Sequence, residues 1–484
     1  MKVDFFQEPE LEFGAGRHID IRFGLMHYGP LDYEQSLAPK LIKLGIVGTP
    51  ETVEGMHTWL ERCQNEIPAK LSKQPNLFPR FPGFNPDASF RSSLLMDQQL
   101  QREIPPRFFE ALKTQSELNR IVTEAVEVFF HELSYLAEKA NGDVFVCAVP
   151  MELLNLLEQR NQMNKGHAED NHEVQEDQLH LDFHDMLKAR AMQLKTPIQI
   201  VLPPTYDETK RRQQKTHPER ARKPQDEATR AWNIHTALYY KAGGVPWRII
   251  REATQLATCY IGISFYKTLD NSRLLTSIAQ VFNERGEGVI VRGSAAKISK
   301  DDKQPHLQQE DAFALLDQAL ERYRQEHRTL PARVVLHKSS SYNIEEVEGF
   351  KQALHNQRVD SIDLISMTHS FTRLFRKGVY PPLRGTFLSL DDRSHILYTR
   401  GSTDFFSTYP GMYVPRPLSF RCELTEQTPR FLAQEILALT KMNWNNTQFD
   451  GGKPITLRAA YQVGAILKYL GEHETIMPRY SFYM

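Results

Sequence analysis

Four residues in the middle of the chain carry side chains of the kinds that gather around a phosphate. His184 and Lys188 are four positions apart, so on a helix they share one face with Cβ atoms about 5–6 Å apart. Gln199 follows on a stretch that reads as a strand, and Lys241 closes a helical pattern just before Gly243-Gly244. A lysine offers a phosphate a point charge, and an imidazole and an amide add hydrogen-bond donors. The same residues are equally compatible with a solvated helix face and a lysine placed where a helix C-terminus favours a cation. A second candidate is the run Lys210–Lys223, with seven Lys/Arg against the single acid Glu219. It is either a solvated loop or a track for a nucleic-acid backbone. On a single strand, each phosphate neutralised would steepen the log–log salt dependence of binding by about 0.7.

The elements that must hold these residues alternate between apolar β-type runs and helical patterns, the signature of α/β layers. Leu41–Val47 reads as a buried strand, and Gly48-Thr49-Pro50-Glu51 opens a helix to about Cys63, with Thr49 as N-cap and Pro50 at its first position. Lys70–Ser92, rich in Pro, Phe and Asn, reads as an ordered loop. Then come a helix over Leu118–Lys139, a strand over Asp143–Val149, and a polar, acid-rich excursion over Asn161–Asp177. A helix over His180–Leu194 and a strand over Pro197–Leu202 follow, then a helix over Thr229–Lys241 stopped by Gly-Gly and Pro246.

Composition narrows the classes. The 484 residues hold 59 Lys+Arg against 60 Asp+Glu, a net charge of −1, which excludes a globally basic protein but not a local basic groove. Hydrophobic residues at 40% and aromatics at 10% exclude wholesale disorder, and at roughly 150 residues per domain the length allows two or three domains. Cys63, Cys147, Cys259 and Cys422 lie far apart with no CxxC or CxxH spacing. That excludes a disulfide scaffold or zinc ribbon and fits a reducing cytosol. The opening MKVDFFQEPE carries charge where a signal peptide needs an apolar run, and no stretch of about 18 apolar residues occurs. A soluble cytoplasmic protein without a membrane partner is expected.

From Thr258 the pattern changes to strands in hairpins, Cys259–Tyr266, Ser277–Val281 and Val289–Arg292, and a domain boundary falls near Ile250. A helix over Glu310–His327, a strand over Arg333–His337 and a helix over Glu345–Asn356 come next. Strands near Ile362–Ser366, Gly385–Leu390 and Ile396–Thr399 and helices over Pro429–Lys441 and Leu457–Leu470 complete the pattern. This order resembles the ribonuclease-H-like one. Nucleases of that fold need carboxylates clustered to hold two Mg²⁺ about 3.5–4 Å apart. The strand centres read Tyr260-Ile261-Gly262-Ile263-Ser264 and Val335-Leu336-His337-Lys338-Ser339, with Ser264 and Ser339 at the expected positions. A neutral hydroxyl cannot gather two dications. Two rival readings stand beside this one. An active nuclease could assemble its site from other carboxylates such as Asp270, Glu310 or Asp363. A nucleotide-binding α/β enzyme is suggested by Leu41–Val47 and Gly48, although GxGxxG and GxxxxGK[ST] are both absent there.

The segment Asn233–Trp247, NIHTALYYKAGGVPW, resembles the end of the MID domain of Argonaute proteins. His184-x-x-x-Lys188 and Thr196-Pro197-Ile198-Gln199 resemble that family's other 5′-phosphate elements, while Ala237 stands where a further lysine is usual. Tyr260–Lys267 and Arg333–Ser341 resemble the PIWI strands, with Ser264 and Lys338-Ser339 in place of the acidic positions. Pro381–Thr386 and Pro415-Arg416-Pro417 resemble further PIWI turns, and Leu457–Tyr461 lacks the fourth catalytic residue.

The resemblance implies an α/β fold: an N-terminal segment (1–40), a Rossmann-like MID domain (41–250) and a ribonuclease-H-like, catalytically inactive PIWI domain (251–484). It implies a short prokaryotic Argonaute without N and PAZ domains. In such a protein His184, Lys188, Gln199 and Lys241 hold the 5′-phosphate of a guide RNA, with Mg²⁺ to which Met484 contributes. It further implies pairing with complementary single-stranded DNA of plasmids or phage. An APAZ-domain effector partner, sirtuin-like or TIR, would then deplete NAD⁺ in abortive-infection immunity.

Overall fold

In the strand Val144–Ala148 (VFVCA) every residue is buried. A strand covered on both faces has no polar side to show, which is the condition inside a parallel sheet. Alternate residues face different cores: Val144, Val146 and Ala148 pack with Met56, Trp59 and Trp232, whereas Phe145 and Cys147 pack with Val126, Phe129 and Leu133. The computed structural model describes the chain except residues 1, 170–180, 211, 214–220, 223–224, 253–254, 282–287, 378–380, 412–413, 448, 450, 472–473 and 475. Val144–Ala148 runs parallel to Leu41–Gly48 and Ile198–Val201, and Leu41–Gly48 also pairs in parallel with Ser93–Leu95 and Gln101–Glu103. Helices Pro50–Arg62 and Leu118–Lys139 cover opposite faces, giving a Rossmann-like three-layer unit. The Lys70–Ser92 loop is pinned by Phe81, Phe84 and Phe90, which are fully buried against Trp232, His235 and Tyr239.

The second sheet has nine strands. Thr258–Lys267, Leu274–Val281 and Gly288–Ala295 form an antiparallel meander; Arg333–Lys338 lies parallel beside the first of them and Ser361–His369 parallel beside that. The resulting order, third-second-first-fourth-fifth, is the ribonuclease-H-like arrangement. Helices Gln309–His327 and Ile344–Gln357 cover one face through Leu316, Leu320 and Phe350. Helix Ile455–Leu467 covers the other. Leu418–Leu424, Ser394–Leu397 and Thr386–Ser389 extend the sheet, and Lys2–Phe5 pairs with Thr386–Ser389 at its edge. Behind that strand Glu8 is held by Arg384 at 2.8 Å and Lys441 at 3.1 Å, both cations being fully buried.

Two expectations are corrected. Residues 161–169 of the expected excursion continue the helix Met151–Glu169, and the remainder to 177 lies outside the described residues. Local polarity suggested a link, but Met151, Leu153, Leu154 and Leu156 already anchor the first turns of this helix in the apolar layer. The strand Leu418–Leu424 was not anticipated, although its alternation of buried and less buried residues has the period of two that a half-covered strand shows. Among the described residues no helix is long and apolar enough to cross a membrane. The four cysteines are buried thiols and form no disulfide.

Gly262 marks the closest approach of sheet and covering helix, since an added Cβ would collide with the Thr456 carbonyl. Overpacking of a tight core costs about 1–3 kcal/mol. Gly262→Ala is therefore expected to lower stability by at least that amount in denaturant titration, and an unchanged midpoint would contradict this contact.

Candidate nucleic-acid interface

Lys188 and Lys241 reach one point from different elements. Lys188 sits on helix Phe183–Ala191, whose N-cap Asp182 accepts the Asp185 amide. Lys241 is the last residue of helix Glu227–Lys241. That helix stops in a double reverse bond, Gly243 N–H to Tyr240 O and Gly244 N–H to Tyr239 O, with Gly243 at φ +97°, a conformation that favours glycine. Both ammonium groups donate to the main-chain oxygen of Met484; Lys241 also donates to Ser481 O at 3.0 Å. Both lysines are buried, and among the described residues no carboxylate side chain is ion-paired with either. Burial pushes Lys188 down to about 8 against the upward pull of Asp185. Lys241 is also lowered, well below the usual lysine value, by burial and then by the charge of Lys188. Two lysines desolvated side by side and turned onto one Met484 oxygen make a site that favours negative charge.

The expected quartet does not assemble as four. His184 is 51% exposed and its Nδ1 lies 2.9 Å from Asp185 Oδ1, so its neighbouring acid, not the lysine pair, holds the ring. Four-residue spacing puts two side chains on one face, but this face runs from solvent to core within a single turn. Gln199 donates through Nε2 to Ile200 O at 3.1 Å, leaving Oε1 buried without a partner. Ala237 is buried in the core. The group Asp182, His184 and Asp185 is the one set of three metal-ligating side chains among the described residues, and its hydrogen bonds are internal. Within Lys210–Lys223, Lys210 pairs with Glu51 at 2.8 Å; most of the run lies outside the described residues.

In the nine-stranded sheet the two serines do come together. Ile263 is in register with Lys338, and the Ser339 amide donates to Ile263 O, which makes Ser264 and Ser339 neighbours across parallel strands. They share the face covered by helix Ile455–Leu467, where Ser277 Oγ donates to Ala460 O and His337 Nδ1 lies 2.8 Å from Thr456 Oγ1. Burial pushes His337 down to about 3, so it is neutral. That helix contains no acid, and its Tyr461 is 66% exposed. The other carboxylates are placed elsewhere. Asp270 caps its own turn through Thr268 and Ser272. Glu310 opens a helix on the opposite face. Asp363 is buried against Arg333 at 2.7 Å. Glu346 is neutralised by buried Lys338 at 2.7 Å and faced by His306 at 3.1 Å.

Sequence reasoning missed a group of cations beyond the carboxyl ends of the parallel strands, where open α/β sheets place their ligands. His369 ends Ser361–His369, Arg400 follows Ser394–Leu397, Arg416 precedes Leu418–Leu424 and Lys453 precedes Ile455–Leu467. Burial lowers the pKa of His369, and the charges of Lys453, Arg416 and Arg400 lower it further. Arg458 is lowered likewise, by burial and then by Arg400. Pro415-Arg416-Pro417 was the single local signal; only the strand order unites the rest.

No protein-family model matches the chain, and no curated protein matches it in sequence. Solved structures do. Clostridium butyricum Argonaute, bound to a guide DNA and a 19-mer target DNA, superposes at TM-score 0.66 with 13% identity, over 97% of this chain and 53% of that one. Drosophila Piwi gives 0.57 and 13%, over 99% and 55%. A. aeolicus Argonaute gives 0.54 and 14%, over 98% and 53%. The chain thus spans about half the length of these proteins. At such identities the likeness is one of fold: the chain has an Argonaute-like architecture, a Rossmann-like MID unit followed by a ribonuclease-H-like PIWI unit.

Because Lys188 falls from 10.5 to about 8 on folding, the unfolded chain binds a proton there that the folded chain lacks between those values. Its contribution to stability therefore rises with pH across that window, and the burial penalty is complete below about pH 8. Lys188→Met keeps the volume and removes the charge. Without polyvalent anions this variant is expected to be the more stable protein at pH 7, by an advantage that shrinks from about pH 8 to 10.5 in parallel denaturation curves. Identical pH profiles for the two proteins would disprove a buried cation.

Proposed function

We propose that the chain is a guide-binding protein of the short prokaryotic Argonaute type. The observation that carries this reading is the pair of buried lysines, Lys188 and Lys241, converging on one Met484 oxygen where the MID unit meets the C-terminal residues. A 5′-phosphate is the anion they would hold, and the phosphate fixes register without reading sequence. The cations around His369 would track the backbone of the guide RNA. Its bases, paired with complementary single-stranded DNA of an invading plasmid or phage, would supply specificity, leaving the protein to read backbone and duplex shape. Mg²⁺ belongs to the proposal: Met484 offers a main-chain oxygen, a hard donor of the kind this ion takes. Bound there, it would add positive charge beside the guide phosphate.

Ser264 and Ser339 support a PIWI unit that binds without cutting. The response would then belong to a partner, an APAZ-domain effector of sirtuin-like or TIR type that depletes NAD⁺ in the cytoplasm when guide and target pair. Such switching requires contacts that differ between two states of the complex.

RNA with a 5′-phosphate is expected to bind more tightly than the same RNA with a 5′-hydroxyl. Lys188→Ala with Lys241→Ala should abolish that difference and flatten the salt dependence by about one unit per lost contact. Equal affinity of the unaltered chain for both RNAs removes the pocket. Guide-programmed DNA should stay intact with Mg²⁺ or Mn²⁺; specific cleavage would restore the active-nuclease reading.

A further inference from the structure

The segment leaving strand Ser361–His369 presents two aromatic rings to water. Phe371 is 85% exposed and Phe375 81%. Scattered exposed apolar residues are ordinary, but these two lie four positions apart in one short irregular stretch. Aromatic and cationic residues alternate along it at every second position: Phe371, Arg373, Phe375, Lys377. The backbone beneath them is tethered. The Ser370 amide donates to Pro417 O at 2.9 Å, and the Leu374 amide to the Tyr398 hydroxyl at 2.8 Å. The rings are therefore held out from an anchored base. Arg373 spends one guanidinium nitrogen on the carbonyls of Ser370 and Thr372. Among the described residues no carboxylate is ion-paired with Arg373 or Lys377. The stretch also begins at His369, so its charges continue the cation group of Arg400, Arg416 and Lys453.

We propose that Phe371 and Phe375 are a stacking platform for unpaired bases of a single nucleic-acid strand, with Arg373 and Lys377 on the phosphates between them. Charge decides the occupant. Unpaired cations beside bare rings complement a polyanion that carries flat apolar faces, and a single strand has both. Every base has a π-face, so such a platform is tolerant of sequence. It would hold strand outside the duplex while pairing elsewhere selects the target. The proposal rests on the nucleic-acid-binding reading above but not on the lysine pocket.

The test uses the full chain and oligothymidylate with a 5′-hydroxyl, so that the 5′-phosphate pocket contributes nothing to the signal. Its control is an abasic oligomer of equal length. Stacking contributes about 5–150-fold per base. Phe371→Ala with Phe375→Ala should weaken oligothymidylate binding at least about tenfold, leave its salt slope unchanged, and leave abasic binding as it was. Phe371→Trp with Phe375→Trp should restore affinity, with indole fluorescence quenched on binding. The proposal is overturned if the alanine variant binds oligothymidylate like the parent, or loses abasic binding equally. It is also overturned if that variant keeps oligothymidylate binding but loses self-association in light scattering, which would make the rings a protein contact. Failure of 5′-phosphate discrimination in the unaltered chain leaves this outcome independent, because no 5′-phosphate is used.

Discussion

Two ammonium groups taken out of water and turned onto the same main-chain oxygen set the terms for the rest of this molecule. A lone buried cation usually sheds its proton or finds a carboxylate. Here, among the described residues, neither Lys188 nor Lys241 has a side-chain carboxylate, and both turn onto the Met484 oxygen, so their surroundings favour negative charge. The parallel sheet and its helices can be understood as the frame that makes this arrangement tolerable. One lysine rides on a helix capped by Asp182. The other sits in the last turn of a helix closed by Gly243 and Gly244, where the helix dipole favours a cation. Ser481 and Met484, from the far end of the chain, complete the enclosure, and so the site exists only when both halves of the protein are in place.

The ribonuclease-H-like half shows the complementary case, a buried layer where strand register gathers neutral side chains instead of cations. Ser264 and Ser339 are brought side by side by strand register, in a buried layer with neutral His337. Two buried acids of this half are committed to other cations: Glu346 to Lys338, Asp363 to Arg333. Ion pairs this deep are weak evidence of added stability but expensive to break. Neither carboxylate is therefore free to turn towards the serines.

Much of this was legible in the sequence wherever the signal is local. The Gly-Gly stop after Lys241, the Thr49-Pro50 start and the apolar run at Val144–Ala148 depend on a few adjacent residues, and each element formed close to where it was read. What could not be read depends on distant partners. The edge strand Lys2–Phe5 gains its identity from pairing with Thr386–Ser389. His184 matches the spacing of the phosphate motif, yet burial changes so steeply across one turn that it faces water while Lys188 does not. The cations around His369, Arg400, Arg416 and Lys453, lie at three different strand and helix ends, and no short window of sequence contains them together.

The Glu8 clamp has a bearing on how the protein can be handled. This one carboxylate lies against Arg384 and Lys441, two cations with no exposed surface, and it arrives on the segment behind the outermost strand. Trp247, where the chain passes between the two sheets, donates its indole N–H to Lys441 O. A tag or fusion that lifted the amino-terminal strand from the sheet would therefore remove more than an edge. It would strand two positive charges in the interior, close to where the chain passes from one sheet to the other, and the damage would be felt far from the tag itself.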